Sequence, residues 1–230
     1  LLFDDPNSDL PTQQFELQRI SDSLWNIYVE GLGEGQHYGF IAWGPNWEYS
    51  ESWSPGRIDG FKSDVDGDGN RFNPNKLLFD PYTKALHRDH DWFKGSTASG
   101  PKRTEITYGA AAKSVITSSQ YQWSEHETMW RAARADGSLE GHDWNDLIMY
   151  EVHPKGFTQN AASGVENPGT YRGIGEMAPY LKDLGINAIE LLPTHEKPLD
   201  GGYWGYNNLS FFAPENEYSA EYRATGRVDK

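Results

Sequence analysis

Apolar and polar residues alternate with a period of two in the first part of the chain. The alternation runs through residues 14–18 and 24–29 and returns at 38–43, so we expect three strands, the first two of them antiparallel and half-buried. Residues 44–76 have no periodic pattern and are rich in Trp, Ser, Gly, Asp and Asn. A segment of this kind is usually functional or disordered, and its aromatic residues favour an ordered loop.

The pattern changes in the second part of the chain. Residues 147–153 form a nearly continuous apolar run, which is typical of a strand buried on both faces. Apolar residues then recur at helical spacing over 174–184, and Gly185 stands where a helix commonly ends. Residues 186–192 are a second buried strand. A strand, a helix and a strand within about 45 residues predict a right-handed βαβ unit, and therefore the beginning of a parallel α/β domain.

The chain is acidic, with 20 Lys and Arg against 34 Asp and Glu and a formal net charge of −14 over 230 residues. This charge repels phosphate backbones and anionic lipid, so we expect neither a nucleic-acid nor a membrane partner. No apolar run approaches the roughly 18 residues of a spanning helix, and residues 1–10 show no signal-peptide pattern. Cysteine is absent, which excludes disulfides and fits a reducing compartment such as the cytoplasm, while secretion stays open.

Aromatic residues make up 14% of the chain, with 9 Trp, 13 Tyr and 10 Phe. Most rings in proteins pack the core or fasten loops, because aromatic side chains bury large areas. A second interpretation is that some rings form flat platforms for the apolar face of a ligand, such as the C–H face of a pyranose. The position of the rings along the chain has to decide between the two.

One segment in the long loop resembles a metal site. Residues 64–69 read Asp-Val-Asp-Gly-Asp-Gly, which matches the first half of a calcium-binding loop. The match then fails, because Asn75 stands at the twelfth position, where a bidentate glutamate is required, and no flanking helices are expected. Aspartates beside glycines are also common in plain Asx-turns. We therefore favour a turn over a bound metal here.

Two further motifs carry little weight. Residues 173–178 fit the G-x-G-x-x-A pattern of nucleotide-binding turns, but the first strand ends at His153, too early to deliver such a turn. Glu151 and Glu190 lie on the two predicted strands and could pair as an acid and a base. Carboxylates in the middle of a barrel strand are more often buried hydrogen-bond partners, so we favour a structural role.

The loop after the second strand carries the strongest chemical signal. Tyr203, Trp204 and Tyr206 lie within four residues around Gly205, and Asn207 follows them. Ligand sites of parallel barrels are built at the carboxyl ends of the strands. Stacking surfaces beside a hydrogen-bonding amide are what a polyhydroxylated sugar requires, so Tyr203, Trp204, Tyr206 and Asn207 are the candidate substrate-binding residues.

Several separate blocks of the chain follow a known pattern. They are 150–153 (YEVH), 169–173 (GTYRG), 180–185 (YLKDLG), 190–193 (ELLP) and 203–207 (YWGYN). These blocks resemble the start of the catalytic barrel in the α-amylase superfamily of glycoside hydrolases (family 13), specifically its isoamylase and glycogen-debranching branch. Residues 71–82 resemble the end of the starch-binding-type β-sandwich module that precedes that barrel. The resemblance covers most of the chain, from about Phe15 to Tyr218.

The resemblance implies a multidomain β and α/β fold in an N-terminal fragment of such an enzyme. Residues 1–143 would be a β-sandwich module, incomplete at its start, with a long loop and linker, and residues 144–230 the first part of a (β/α)8 TIM barrel. A whole barrel takes about 250 residues, so it cannot close within this chain. In the family the catalytic carboxylates follow the fourth, fifth and seventh barrel strands. We therefore expect no catalytic residue here, and a second chain or a missing C-terminal segment to complete the barrel.

The function that the resemblance implies is part of an α-1,6-glucan debranching hydrolase. Such an enzyme acts on branched α-glucans, namely glycogen, amylopectin or limit dextrins, by a retaining mechanism. Tyr206 corresponds to the family's ring that stacks on the sugar where the glycosidic bond breaks, and Tyr203, Trp204 and Asn207 match the motif around it. The fragment alone should be inactive.

The resemblance also bears on cofactors. No cofactor is expected, although secreted isoamylases carry a calcium ion near the junction of module and barrel. Asp89 and Glu196 fall near the matching positions, but Lys197 and Pro198 follow Glu196 where further oxygen ligands would be expected. We therefore assign no metal-binding residue.

Two alternatives remain open. A 1,4-α-glucan branching enzyme or a maltooligosyltrehalose hydrolase shares the ELLP and WGY blocks, although the long loop before residues 72–74 favours debranching. A noncatalytic α-glucan-binding protein belongs to a different class. Against it stands an unpaired parallel edge at the second strand, which would expose backbone groups and apolar faces to water.

Overall fold

The computed structural model describes residues 1–88, 98–118, 123–136, 144–198 and 202–228. The strands and α-helices of these ranges are β1 (Leu2–Phe3), β2 (Gln18–Arg19), β3 (Trp25–Asn26), β4 (His37–Tyr38), β5 (Ser114–Val115), α1 (Glu125–Ala135), β6 (Met149–Val152), α2 (Tyr171–Glu176), α3 (Ala178–Asp183), β7 (Ala188–Leu191) and α4 (Ala220–Thr225). Short 3-10 helices span Gly100–Thr104, Trp144–Asp146, Ala161–Ser163 and Asn216–Tyr218. None of the described helices has the length and apolarity to cross a membrane.

A three-stranded antiparallel sheet forms the first part of the molecule, in the order β1-β4-β5. Tyr38 in the central strand pairs with Leu2 on one side and Ser114 on the other. The strand predicted over 38–43 is therefore present only at its beginning. The rest of the predicted strand, residues 39–43, makes one isolated bridge, between Phe40 and Leu78.

The core beside this sheet combines rings with a buried charge. Phe3, Leu77, Tyr108 and Ala111 form its apolar cluster. The fully buried Lys113 lies with its ammonium group 4.5 Å from the centre of the Phe3 ring, and it donates hydrogen bonds to the carbonyls of Pro6 and Tyr108. Burial lowers the pKa of Lys113 to about 8, and the two carbonyls offset part of the cost of burying the charge.

The second predicted strand is present in part as β3 and pairs antiparallel with β2, which overlaps the first predicted strand, residues 14–18, only at Gln18. Both strands are short and exposed. Strands β2 and β3 pair through two residues each, with Arg19 opposite Trp25. Trp25 is 54% exposed, so the expected burial of one face is wrong. The described residues place no layer over this ribbon, and its apolar side chains therefore face solvent.

The long loop is ordered by side chains that bond to its backbone. Asn46 is buried and donates to the carbonyls of Ser63 (3.1 Å) and Phe72 (2.9 Å), while its own oxygen accepts the N–H of Phe72 (2.9 Å). Trp47 is also buried, and its indole N–H donates to the carbonyl of Asp59. Hydrogen bonds of this kind do not require a periodic arrangement of apolar residues. The segment is therefore ordered although its sequence shows no periodic pattern.

The aspartates of residues 64–69 bond to protein groups. Asp66 accepts the backbone N–H groups of Asp68 (3.0 Å) and Asn70 (2.9 Å) through one oxygen, which is the Asx-turn expected from the sequence. Asp64 forms an ion pair with Arg103 at 2.7 Å. Hydrogen bonds from Asn70 and Arg103 lower the pKa of Asp66 and Asp64 respectively.

The predicted βαβ unit is confirmed in its strands and corrected in its helix. Strands β6 and β7 are parallel and pair in register from Met149–Ala188 to Val152–Leu191. The single helix expected over 174–184 is two helices, α2 and α3, which meet at Met177. Pro179 lies in the first turn of α3, and its missing N–H interrupts the hydrogen-bond ladder.

The β6–β7 pair is not buried on both faces as its sequence suggested. Tyr150, Ile189 and Leu191 are 40–42% exposed, because the described residues place no third strand or covering layer beside them. Glu151 and Glu190 are directly opposite each other and both exposed. The buried structural role expected for these glutamates is therefore wrong within the described residues.

Packing explains the glycine pattern in α2. A Cβ atom on Gly173 would lie 2.2 Å from the carbonyl oxygen of Asn167 and 2.9 Å from Oγ1 of Thr158, whereas a Cβ on Gly175 would meet nothing within 4 Å. The first glycine is required because the loop 158–167 packs on the helix backbone. No phosphate has to be invoked.

The two glycines should therefore respond oppositely to alanine. Gly173→Ala should lower the free energy of unfolding by about 1–3 kcal/mol, since a backbone carbonyl has to move. Gly175→Ala should raise it by about 0.5–1 kcal/mol through helix propensity, and it serves as the matched control. Urea titration of both variants measures the difference. Equal effects at the two positions would contradict the packing explanation.

Candidate functional site

The loop that follows β7 is closed at its base by a short antiparallel pairing. Glu196 donates its backbone N–H to the carbonyl of Ala213 (2.9 Å), and Glu215 donates to the carbonyl of Thr194 (2.8 Å). His195 and Pro214 form the bridge between these bonds. The residues from 197 to 212 therefore start and return at the same place beside the end of β7.

Glu196 accepts hydrogen bonds from three backbone N–H groups of this loop. The side chain is buried, and its Oε2 atom accepts the backbone N–H of Asn216 (3.0 Å). Its carbonyl accepts the N–H groups of Leu209 (2.7 Å) and Ser210 (3.3 Å). A buried carboxylate is costly without hydrogen bonds, so these contacts hold the loop against Glu196.

Glu215 has a similar position on the returning segment. It is buried, and its two oxygens accept the backbone N–H groups of Lys197 (3.1 Å) and Glu217 (3.2 Å). The Tyr171 hydroxyl donates to the carbonyls of Thr194 (2.9 Å) and Glu215 (3.3 Å). Burial first, and then the nearby Glu215 carboxylate, raise the pKa of Tyr171.

The loop also rests on the first part of the chain. The Asn216 side chain donates to the carbonyl of Leu86 at 2.7 Å, and Leu86, Ala112 and Ala213 form one buried apolar cluster. The Phe212 ring lies 5.3 Å from that of Tyr82. The base of the loop is thus shared by the two parts of the molecule.

His153, the residue that follows β6, has a defined tautomer. Its Nδ1 atom accepts the backbone N–H groups of Lys155 (3.1 Å) and Gly156 (3.0 Å), so the proton of the neutral ring lies on Nε2. Nε2 is 2.7 Å from the carbonyl oxygen of Tyr203 and donates to it. Burial lowers the pKa of His153, and the nearby Lys197 and Lys155 lower it further, so the ring is neutral near pH 7.

The rings of the loop are arranged around this histidine. Tyr203 stacks on His153 with ring centres 4.1 Å apart and planes 12° apart, and Trp204 meets it edge-on at 6.0 Å. Tyr218 closes another side at 5.7 Å. A Cβ atom on Gly156 would lie 2.4 Å from the Tyr203 hydroxyl, so the ring extends over that glycine.

We name residues 202–207 the aromatic loop. Its candidate residues are all exposed, with Tyr203 at 53%, Trp204 at 59% and Tyr206 at 71%, and Asn207 beside them. Gly205 forms the turn with φ +82°, where a Cβ atom would lie 3.2 Å from the carbonyl oxygen of Pro193. The structure therefore brings the four sequence-predicted residues onto one short loop. Tyr203 has one ring face on His153, whereas Tyr206 extends into solvent.

Sequence reasoning assigned no role to His153. The available signal was its position directly after a parallel strand, where ligand sites are built. Among the described residues, no group of three or more His, Asp or Glu side chains could hold a metal ion. Asp89, which the resemblance placed near a calcium site, lies outside the described residues. The arrangement offers exposed rings, an amide and backbone groups on a rigid base, which suit stacking and hydrogen bonding.

No protein-family model matches the chain. It is 36% identical to an isoamylase of Flavobacterium sp. over 232 aligned residues, which cover 96% of this chain and 29% of the isoamylase. It is 29% identical to the glycogen debranching enzyme of Salmonella paratyphi B, with 90% of this chain and 29% of that enzyme covered. The chain therefore spans less than a third of the length of these relatives.

A solved structure has the same fold over most of the chain. The pullulanase of Paenibacillus barengoltzii, in complex with maltohexaose and α-cyclodextrin, superposes with a TM-score of 0.58 and 16% sequence identity. The match covers 95% of this chain and 29% of the pullulanase. At this identity the likeness establishes the fold alone.

Tyr203 and Tyr206 should differ in their contribution to stability. Tyr203→Leu should lower the free energy of unfolding by about 1 kcal/mol, because it removes the stack on His153, while Tyr206→Leu should change it by less than about 0.5 kcal/mol. Urea unfolding of both variants measures this, and Tyr206→Leu is the matched control. A loss at Tyr206 as large as that at Tyr203 would contradict the described packing.

Proposed function

This chain belongs to the isoamylase and glycogen-debranching branch of the α-amylase superfamily, and on that premise we propose that it is a portion of an α-1,6-glucan debranching hydrolase. Its substrate would be a branched α-glucan such as glycogen, amylopectin or a limit dextrin. The observation that carries the proposal is the aromatic loop, held at the carboxyl ends of two parallel strands. Exposed rings there can stack on the C–H faces of glucosyl units, and Asn207 can bond to their hydroxyls.

We propose a division at residue 144. Residues 1–143 would be the β-sandwich starch-binding-type module, and residues 144–230 the first part of the (β/α)8 barrel. Support comes from the antiparallel pairing of β1, β4 and β5 and the parallel pairing of β6 and β7. The exposed apolar side chains of β6 and β7 favour further strands packed beside them, supplied by a second chain or by a C-terminal segment.

The chemistry itself would come from elsewhere in the enzyme. Retaining hydrolysis needs a nucleophilic and an acid/base carboxyl group roughly 5–5.5 Å apart across the scissile bond. The resemblance places these groups after later barrel strands than the two described here. Glu151 and Glu190 lie within the strands and not at their carboxyl ends, so they are poor candidates. This portion would supply one wall of the glucan cleft, with Tyr206 against the distorted sugar.

We propose that the activity needs no cofactor, because the residues after Glu196 do not fit the calcium ion that the resemblance implies. Lys197 places its ammonium nitrogen 3.8 Å from Oε2 of the buried Glu215, and Pro198 has no side-chain oxygen. Calcium takes oxygen ligands, and an ammonium group beside them would repel it. The Lys197 charge would therefore offset the Glu215 charge in place of a metal ion.

Chelation should then leave the stability of the full-length protein unchanged, with a melting temperature constant to within about 1 °C. Lys197→Ala should lower the melting temperature. Added calcium should restore part of the loss, because it can take the place of the ammonium group beside Glu215. Lys155→Ala is the control, since its ammonium group pairs with the more exposed Glu217 at 3.3 Å, and calcium should not affect it. A fall of several degrees on chelating the wild-type protein would contradict the proposal.

The activity is tested with Tyr206→Ala in the full-length protein. The wild type should release linear oligosaccharides from glycogen or pullulan and leave amylose intact. The variant should lose about 10- to 100-fold in kcat with a smaller change in KM for long glucans, because the ring acts on the distorted sugar. Tyr28→Ala removes a ring that is 88% exposed after β3 and far in sequence from the aromatic loop, and it should leave kcat unchanged.

The other outcomes separate the alternatives. An unchanged kcat in Tyr206→Ala would show that Tyr206 is not part of the substrate-binding site. New branches formed from amylose would identify a branching enzyme, and trehalose released from maltooligosyltrehalose would identify the corresponding hydrolase. Binding of glucan without any turnover would favour a noncatalytic glucan-binding protein.

A further inference from the structure

We propose that His153 is a positioning residue, whose neutral ring holds the aromatic loop in the orientation that binds glucan. The inference rests on the proposed function of that loop. His153 is fixed at the end of β6, and it contacts the loop through the bond from Nε2 to the Tyr203 carbonyl (2.7 Å) and through the stack on the Tyr203 ring (4.1 Å). Trp204 and the turn at Gly205 follow directly, so the placement of Tyr206 depends on this anchor.

The imidazole performs three tasks that other side chains perform only in part. It accepts two backbone N–H groups at Nδ1, donates one hydrogen bond at Nε2, and offers a flat face to Tyr203. Asparagine has an acceptor near the Nδ1 position but no donor that reaches the Tyr203 carbonyl. Glutamine has a donor near the Nε2 position but no acceptor for the turn. An asparagine at this position would therefore keep the bonds to the turn and lose the bond to the Tyr203 carbonyl, whereas a glutamine would do the reverse.

Protonation would remove one of these tasks. The imidazolium carries a proton on Nδ1, which would face the N–H groups of Lys155 and Gly156 without an acceptor. Among the described residues, the charged or titratable groups around the ring are the Lys155 and Lys197 ammonium groups and the Tyr203 and Tyr218 hydroxyls, and Glu217 pairs with Lys155. Both lysines oppose a positive charge on the ring.

The pH dependence has a definite sign. The pKa of His153 is lowered in the folded protein, so the unfolded chain, or a released loop, binds a proton more readily. The anchor is therefore fully present above the ordinary histidine pKa of about 6.5, and it weakens as the pH falls below that value. The rate of glucan hydrolysis should therefore fall as the pH drops below about 6.5, in addition to any fall caused by titration of the catalytic carboxylates.

The test uses three variants of the full-length protein. His153→Asn should lower kcat/KM for a branched glucan by about 10-fold or more, with the larger share in kcat, because the reacting sugar loses its positioned ring. His153→Gln should retain kcat/KM to within about 3-fold near pH 7 and should lose the inflection that His153 contributes below pH 6.5. His126→Gln changes an exposed histidine of α1 and should match the wild type in rate and pH profile.

A spectroscopic measurement makes the result independent of activity. Nitrogen-15 NMR of histidine-labelled wild-type protein should show His153 with its proton on Nε2 and with a pKa below the ordinary histidine value of about 6.5. A proton on Nδ1, or an ordinary pKa, would overturn the proposal even if a variant failed to fold. Wild-type rates and pH profiles in all three variants would also overturn it. If the protein did not act on glucans, the NMR result would still decide the anchoring role, while the proposed function alone would fail.

Discussion

Two buried glutamates determine how the loop after β7 is closed. Glu196 and Glu215 are each about 1% exposed, and a buried carboxylate needs donors close at hand. Backbone N–H groups of the same loop supply them, from Asn216 to Glu196 and from Lys197 and Glu217 to Glu215. The loop therefore folds back on its own beginning, and the rings between these residues are presented from a fixed base.

The parallel strands were predictable because their signal is local and repeated. Two apolar runs flanking a helical period indicate a βαβ unit, and β6 and β7 pair as that pattern requires. The single helix predicted over 174–184 was wrong, although Pro179, which has no N–H for the hydrogen-bond ladder, is a local signal for the break between α2 and α3. The four candidate residues were recognised because rings and an amide are adjacent in the sequence, and adjacency alone places them on one loop.

The other features of the structure depend on contacts between residues far apart in the sequence, which produce no periodic hydrophobic pattern. Asn46 orders the long loop through backbone groups up to 26 residues away, and Lys113 anchors carbonyls at both ends of the first part. The role of His153 arises from a carbonyl 50 residues away in sequence. The wrong burial predictions for β2, β3, β6 and β7 have a similar cause, since an alternating or apolar pattern indicates a face suited to burial and does not identify what covers it.

The hydrogen bond from Asn216 to Leu86 joins groups 130 residues apart. Closing so long a stretch of chain is entropically costly and late in folding, since local structure forms before non-local contacts. The aromatic loop therefore depends for its support on the packing of the first part of the chain around Leu86. Substitutions that weaken the packing around Leu86 should therefore also loosen the loop that carries the exposed rings.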